Sequence, residues 1–121
     1  MHKKTILIVE DDKDMMKIYE EMFGNKYHLW KAFDADEARK FLDKDHVDLM
    51  ILDIILPKET GDTFFVRLRS HPKYAHVKTI VVTVMGDITE QMQRIDPDVV
   101  CLSKPFEKEK LLKLVEERLK D

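Results

Sequence analysis

Four clusters of polar residues in this 121-residue chain each stand at the end of a short apolar run. Glu10, Asp11 and Asp12 follow Thr5-Ile6-Leu7-Ile8-Val9, and Asp53 follows Val47-Asp48-Leu49-Met50-Ile51-Leu52. Thr83 closes the β-branched run that starts at Thr79, and Ser103-Lys104-Pro105 follows Val99 to Leu102. Carboxylates gathered in one pocket repel each other and coexist only with a cation or with raised pKa values. Oxygen donors without a soft ligand suit Mg²⁺, Mn²⁺ or Ca²⁺. Mg²⁺ takes one or two carboxylates, keeps water and accepts phosphate oxygens. A hydroxyl at 83 and an ammonium at 104 would complete a phosphoryl site that acts by positioning and charge. A carboxylate in such a site can itself be the nucleophile, giving an aspartyl phosphate.

Taken singly, each cluster has a plainer reading. Asp11 and Asp12 suit a helix N-terminus by capping and dipole alone. Asp53 suits a turn, Thr83 a strand, and Pro105 the first position of a helix. The chemistry needs all four clusters at one edge of one sheet, so the elements between them decide the matter.

Those elements alternate. The runs at 5–9, 27–32, 47–52, 79–84 and 99–102 read as strands. Met15, Ile18, Tyr19, Met22 and Phe23 recur at helical spacing, closed by Gly24-Asn25. Asp34 with Glu37 resembles a capping box ahead of Ala38, Phe41 and Leu42. Leu56-Pro57 breaks the chain, and Gly61-Asp62 leads into a helix with Phe64, Phe65 and Leu68. Ile88, Met92 and Ile95 predict a short helix stopped before Pro97. Leu111, Leu112, Val115 and Leu119 form the stripe of a last helix opened by Pro105. Glu109–Lys113 and Glu116–Lys120 lie at i,i+4 on its solvated side. Strict strand–helix alternation predicts an α/β fold, a parallel sheet covered on both faces. In such sheets, ligands bind outside the carboxyl ends of the strands, where all four clusters then stand.

Composition removes several alternatives. There are 21 Lys+Arg against 24 Asp+Glu, a net charge of −3, with the signs interleaved, so no direct nucleic-acid contact is expected. No apolar run approaches the roughly 18 residues of a membrane span. The start, Met1-His2-Lys3-Lys4-Thr5, leads into too short an uncharged stretch for a signal peptide, which makes the cytoplasm the expected location. Cys101 is the single cysteine, and the five histidines (2, 28, 46, 71, 76) lack zinc-site spacing. Glycine occurs only at 24, 61 and 86, which excludes the glycine-rich phosphate loops.

The combination resembles the receiver domain of two-component response regulators over the whole chain, residues 1–121, read as a single domain without an output domain. The residues that carry the resemblance are Ile6 to Asp12, Leu52-Asp53-Ile54-Ile55-Leu56-Pro57 with Gly61, Thr83, and Lys104-Pro105-Phe106. It implies a flavodoxin-like, doubly wound (βα)5 fold with strand order 2-1-3-4-5. It further implies that Asp53 is the phosphoacceptor, supplied by a histidine kinase or a histidine phosphotransfer protein. Asp11, Asp53 and the backbone carbonyl of Ile55 would hold Mg²⁺, for which Mn²⁺ or Ca²⁺ could substitute, and Glu10 would act through a metal-bound water. Lys104 would pair with phosphoryl oxygens, Thr83 would hydrogen-bond one and move inward, and the Lys104–Pro105 bond would be cis. The output would be a change in contacts with another protein, as a monomer or a phosphorylation-dependent dimer.

The chain departs from the family pattern at three places. Cys101 stands where the family usually has an aromatic residue, and a thiol cannot make the same rotamer switch; a lone strand cysteine is a small buried hydrophobe rather than a redox centre. Val84 replaces Ala or Gly after the threonine and would crowd the phosphoryl approach. Asp96-Pro97-Asp98 replaces a Gly-Ala pair, which makes the fourth helix short and polar-faced. Two rival readings follow. One is a pseudo-receiver that binds a partner without switching. The other is a Mg²⁺-dependent phosphatase or phosphotransferase, opposed by Ile55 where such enzymes usually carry a second Asp.

Overall fold

The computed structural model describes residues 3–120; Met1 and His2, read above as part of the chain's start, and Asp121 lie outside it. Five strand–helix units follow one another. They are β1 (Thr5–Val9), α1 (Lys13–Phe23), β2 (His28–Ala32), α2 (Ala35–Lys44), β3 (Leu49–Leu52), α3 (Gly61–Arg69), β4 (Thr79–Thr83), α4 (Thr89–Ile95), β5 (Val100–Ser103) and α5 (Lys108–Leu119). The strands form one parallel sheet in the order β2-β1-β3-β4-β5. Fold class and strand order are as the sequence predicts.

The period of two in the strands splits the core. Leu7, Val9, Met50, Leu52 and Val81 face α2, α3 and α4, packing with Ala38, Phe64, Phe65, Leu68 and Met92. Their neighbours Ile6, Ile8, Leu49, Ile51, Ile80 and Val82 face α1 and α5, packing with Met16, Tyr19, Phe23, Leu111 and Val115. Continuous apolar strands are what burial on both faces demands.

Local details refine the sequence reading. The α1 stripe is centred on Met16, Tyr19 and Phe23, with Met15 and Met22 half-buried at its margins. Gly24 ends α1 in a right-handed conformation (φ −61°), so its need is steric: a Cβ there would lie 2.6 Å from the Glu20 carbonyl oxygen. Half of the capping box forms, with Glu37 N–H donating to Asp34 Oδ1 (2.8 Å), while Glu37 Oε1 accepts from Phe33 N–H, one residue before the cap (2.7 Å). Val47 is buried but precedes the ladder, which begins at Leu49.

One expectation is corrected. Pro105 does not open α5, which starts at Lys108; Pro105 lies in the preceding turn, behind a cis Lys104–Pro105 bond. The solvated side of α5 is exposed as expected, and there Glu116 also pairs with Lys26 beyond α1 (2.9 Å).

Candidate functional site

The acid pocket forms where β1 and β3 end side by side, with the ends of β4 and β5 next along the same edge. Glu10 is held at the exit of β1 by its N–H to the Ala32 carbonyl (3.0 Å), and Asp53 at the exit of β3 by its N–H to the Val9 carbonyl (3.1 Å). Glu10 and Asp53 are buried, at 1% and 7% exposure, while Asp11 is exposed. Carboxylate oxygens of all three lie within 4.8 Å of one another. Asp12, the fourth acid, turns away and caps α1, accepting from Asp14 N–H at 2.9 Å. The plain capping reading thus holds for Asp12, and its own N–H donates to Glu10 Oε2 (3.2 Å).

Lys104 closes the pocket. Its backbone N–H donates to the Thr83 carbonyl (2.9 Å) and fixes the turn after β5 against β4. Its Nζ donates to Glu10 Oε1 (2.5 Å) and Asp53 Oδ2 (2.9 Å), bridging the acids at the ends of β1 and β3. Burial pushes the Glu10 carboxyl upward; Lys104 and the Asp12 N–H pull against it, and the charge of Asp53 adds to the rise. Burial pulls the Lys104 ammonium downward, but Glu10 and Asp53 outweigh it and hold it above the usual lysine range. The ammonium therefore stays charged and neutralises the acids it bridges.

The loop after Asp53 is shaped by close approach. Gly61 N–H donates to the Ile54 carbonyl (2.8 Å), and a Cβ on Gly61 would lie 2.1 Å from the Asp53 carbonyl oxygen. Only glycine lets α3 begin so near the pocket. Ile55 N–H donates to Asp53 Oδ1 (3.1 Å), leaving the Ile55 side chain 49% exposed. Lys58 adopts φ 69° in this loop, and its Nζ reaches the Asp34 carboxylate (3.4 Å). No motif in the sequence marks Lys58, since a left-handed residue is usually signalled by Gly or Asn.

Thr83 is buried at the end of β4, and its hydroxyl accepts a long bond from Met85 N–H (3.4 Å). Val84 and Met85 stand outward beside it, 61% and 55% exposed. Cys101 lies half-buried on β5, packed against the core on the α2–α3–α4 face. Burial pushes its thiol upward, with Thr89 opposing and Asp87 adding, so it remains the protonated thiol of a small hydrophobe. With Asp87, Thr89, Phe106 and Lys110 it lines an open cleft of about 560 Å³.

The α4 helix is short, as predicted, with Met92 its single buried residue. Its flank is less polar than the sequence suggests. Ile88 and Ile95 join Val66 and Met85 around a groove of about 330 Å³ between α3 and α4. Tyr19 was legible as a core residue, but not as the ring stacked on Phe106, two residues beyond Lys104 (centroids 6.3 Å, 11° between planes).

Known proteins are similar to this chain in sequence and fold. The sequence profile of the response regulator receiver domain matches residues 6–116. The DNA-binding dual master transcriptional regulator RpaA of a Synechocystis strain is 33% identical over 111 residues, 88% of this chain and 45% of RpaA. The chain therefore spans less than half the length of that curated relative. A putative response regulator from Chloroflexus aurantiacus superposes with a TM-score of 0.85 at 30% identity, covering 97% of this chain and 98% of the other. The chemotaxis protein CheY4 of Vibrio cholerae shares the fold, with a TM-score of 0.85 at 23% identity over 97% of this chain and 99% of its own. Strand order, the acids at the carboxyl edge and the profile match converge: this chain belongs to the response regulator receiver domain family of two-component signal transduction.

Proposed function

We propose that this chain is a phosphorylatable receiver whose acceptor is Asp53. A carboxylate oxygen of Asp53 attacks the phosphorus of a phosphohistidine on a histidine kinase or phosphotransfer protein. The P–N bond breaks, its electron pair stays on the imidazole nitrogen, and that nitrogen ends as neutral imidazole once the proton count is restored from solvent. The carrying observation is the Lys104 ammonium, 2.9 Å from Asp53 Oδ2 and bridged to Glu10, among three carboxylates. Lys104 then offers its charge to the phosphoryl oxygens, and the Thr83 hydroxyl, held only by a long bond, is free to turn toward one of them.

The donor set fits Mg²⁺. Its atoms are hard oxygens with no sulfur or imidazole among them, and burial of Glu10 and Asp53 favours a compensating cation. Asp11, Asp53 and the Ile55 carbonyl would hold the ion, with Glu10 acting through water. When bound, Mg²⁺ neutralises the charge that gathers on the transferring group. Receiver domains of this family are signalling rather than enzymatic domains, and this one would pass its state to an output protein by altered contacts, as a monomer or a phosphorylation-dependent dimer. Among the described residues no helix is long and apolar enough to cross a membrane.

The test is intact mass after incubation with acetyl phosphate and Mg²⁺. A phosphoryl adduct is expected in wild type, absent in Asp53→Asn and absent with EDTA. Wild type that stays unmodified over hours with Mg²⁺ present would overturn the reading in favour of a non-switching binding module.

A further inference from the structure

A column of four aromatic rings runs through the core under α1 and α5, between the two poles of the sheet. Tyr27 stands just ahead of β2, at the amino end of that strand, its ring 6.0 Å from that of Phe23. Phe23 and Tyr19, one helical turn apart on α1, stack at 6.4 Å with 16° between their planes. Tyr19 in turn stacks on Phe106, beyond the carboxyl end of β5, at 6.3 Å and 11°. Ring pairs at such separations attract beyond the area they bury. Phe106 enters the column from a turn with few other ties. Lys104 N–H reaches the Thr83 carbonyl (2.9 Å). Beyond it, among the described residues, the N–H groups of Phe106 and Glu107 meet no backbone acceptor, and Glu107 gives α5 no side-chain cap. Pro105 has no N–H to offer. Pro105 and Glu107 are exposed, whereas Phe106 is half-buried against the α1–α5 core. The Phe106 ring is therefore the apolar side chain that seats this turn, and Tyr19, 1% exposed, is the ring it rests on.

The same turn carries Lys104, whose Nζ meets Glu10 Oε1 and Asp53 Oδ2 at once (2.5 and 2.9 Å). A lysine side chain has many rotamers and loses much entropy when held in one. Its ammonium stays on both acids only while its backbone is fixed. In group transfer a misplacement of about 1 Å can cost about a hundredfold in rate. Tyr19 also lies within the field of the acid pocket. Burial pushes its hydroxyl up, and the charges of Glu10 and Asp53 add to the rise, so it stays a neutral phenol.

We propose that Tyr19 is a positioning residue for phosphoryl transfer: its ring, stacked on Phe106, holds the turn that aims Lys104 at Asp53. The inference rests on the acceptor role of Asp53 argued above. Two readouts on the full chain test it. The first needs no phosphoryl transfer. Side-chain NMR of the metal-free protein follows the two Hε protons of Lys104, which differ in shift while the ammonium is held and converge when the side chain turns freely. The second is the rate of Asp53 phosphorylation at saturating acetyl phosphate and Mg²⁺, with the Mg²⁺ Kd taken separately from amide shifts. Tyr19→Leu is expected to merge the two Hε signals and slow phosphorylation about tenfold, with the Mg²⁺ Kd within about twofold of wild type, since Asp11, Asp53 and Ile55 are untouched. Tyr19→Phe, which keeps the ring, should rescue both readouts. Phe23→Leu removes a ring of the column that does not touch Phe106; it should lower stability and leave both readouts as in wild type. A folded Tyr19→Leu protein with the Lys104 signals and rate of wild type would overturn the proposal. So would Phe23→Leu matching the losses of Tyr19→Leu, or Tyr19→Phe failing to rescue. If Tyr19→Leu does not fold, Phe106→Leu takes its place with the same expectations, since it removes the other half of the stack from a half-buried position. Wild type that takes up no phosphoryl group sinks the acceptor reading; the Lys104 signals of the variants then decide by themselves whether Tyr19 holds the lysine.

Discussion

Gly61 is the residue on which the geometry of the acid pocket leans hardest without contributing a side chain. A methyl group there would meet the backbone oxygen of Asp53 at 2.1 Å, and backbone cannot move aside as a side-chain tip can. Gly61→Ala is therefore expected to cost about 3 kcal/mol or more, the upper range for overpacking, measured by urea unfolding. Val84 acts differently. It is 61% exposed next to the buried Thr83, so its branched side chain lies at the rim rather than in the core. Val84→Ala is expected to leave stability within about 0.5 kcal/mol and to speed phosphoryl turnover on Asp53. Unchanged turnover would remove Val84 from the site's kinetics.

The helices differ in how firmly they are held. Asp34 satisfies Glu37 N–H and binds Lys58, so it joins the start of α2 to the loop after Asp53. The Glu37 N–H holds the Asp34 carboxyl below the usual carboxylate range. Asp34→Ala should cost about 1 kcal/mol, as loss of an N-cap does, and Asp34→Asn much less, read from thermal or urea melts. At the other extreme, α4 has seven residues, one buried side chain and no side-chain cap. Helices with so few buried contacts open locally at low free-energy cost. Hydrogen exchange should show amides of 92–95 opening well before those of α5, whose Leu111, Val115 and Leu119 are all buried. Equal protection in the two helices would contradict this account.

At the scale of the whole molecule, stability depends on charges at both poles. Burial pushes the Asp96 carboxyl upward, but the Asp98 N–H and Arg69 outweigh it and hold it below the usual range. A depressed carboxylate stabilises the fold above its unfolded pKa, and this contribution is lost as pH falls through the lower folded value. Asp96→Asn should therefore flatten the acid limb of the stability–pH curve, below the normal carboxylate range, and lower stability at neutral pH. At the acid pocket a bound cation adds stability by mass action. Mg²⁺ at about ten times its Kd should add about 1.4 kcal/mol, or roughly 5–6 °C in melting temperature. Asp11→Ala should abolish that gain, and a melting curve indifferent to Mg²⁺ would argue against the site.

Periodicity and spacing were enough to determine the fold class, the order of elements and the four clusters at the carboxyl edge. Strands buried on both faces must read as continuous apolar runs, and a polar residue that ends such a run is delivered to the edge whatever its partners are. Spacing could not separate Asp11 from Asp12, because both suit a helix start; the turn of the chain after β1 made one a pocket acid and the other a cap. Pro105 looked like a helix start for the same local reason, and only the packing of the turn against β4 moved that start to Lys108. The Lys104 bridge spans 94 residues to Glu10, the Lys58 clasp 24 to Asp34, and the Tyr19–Phe106 stack joins α1 to the turn before α5. Such meetings are set by sheet order and helix packing, which act over distances in the chain that no local pattern encodes.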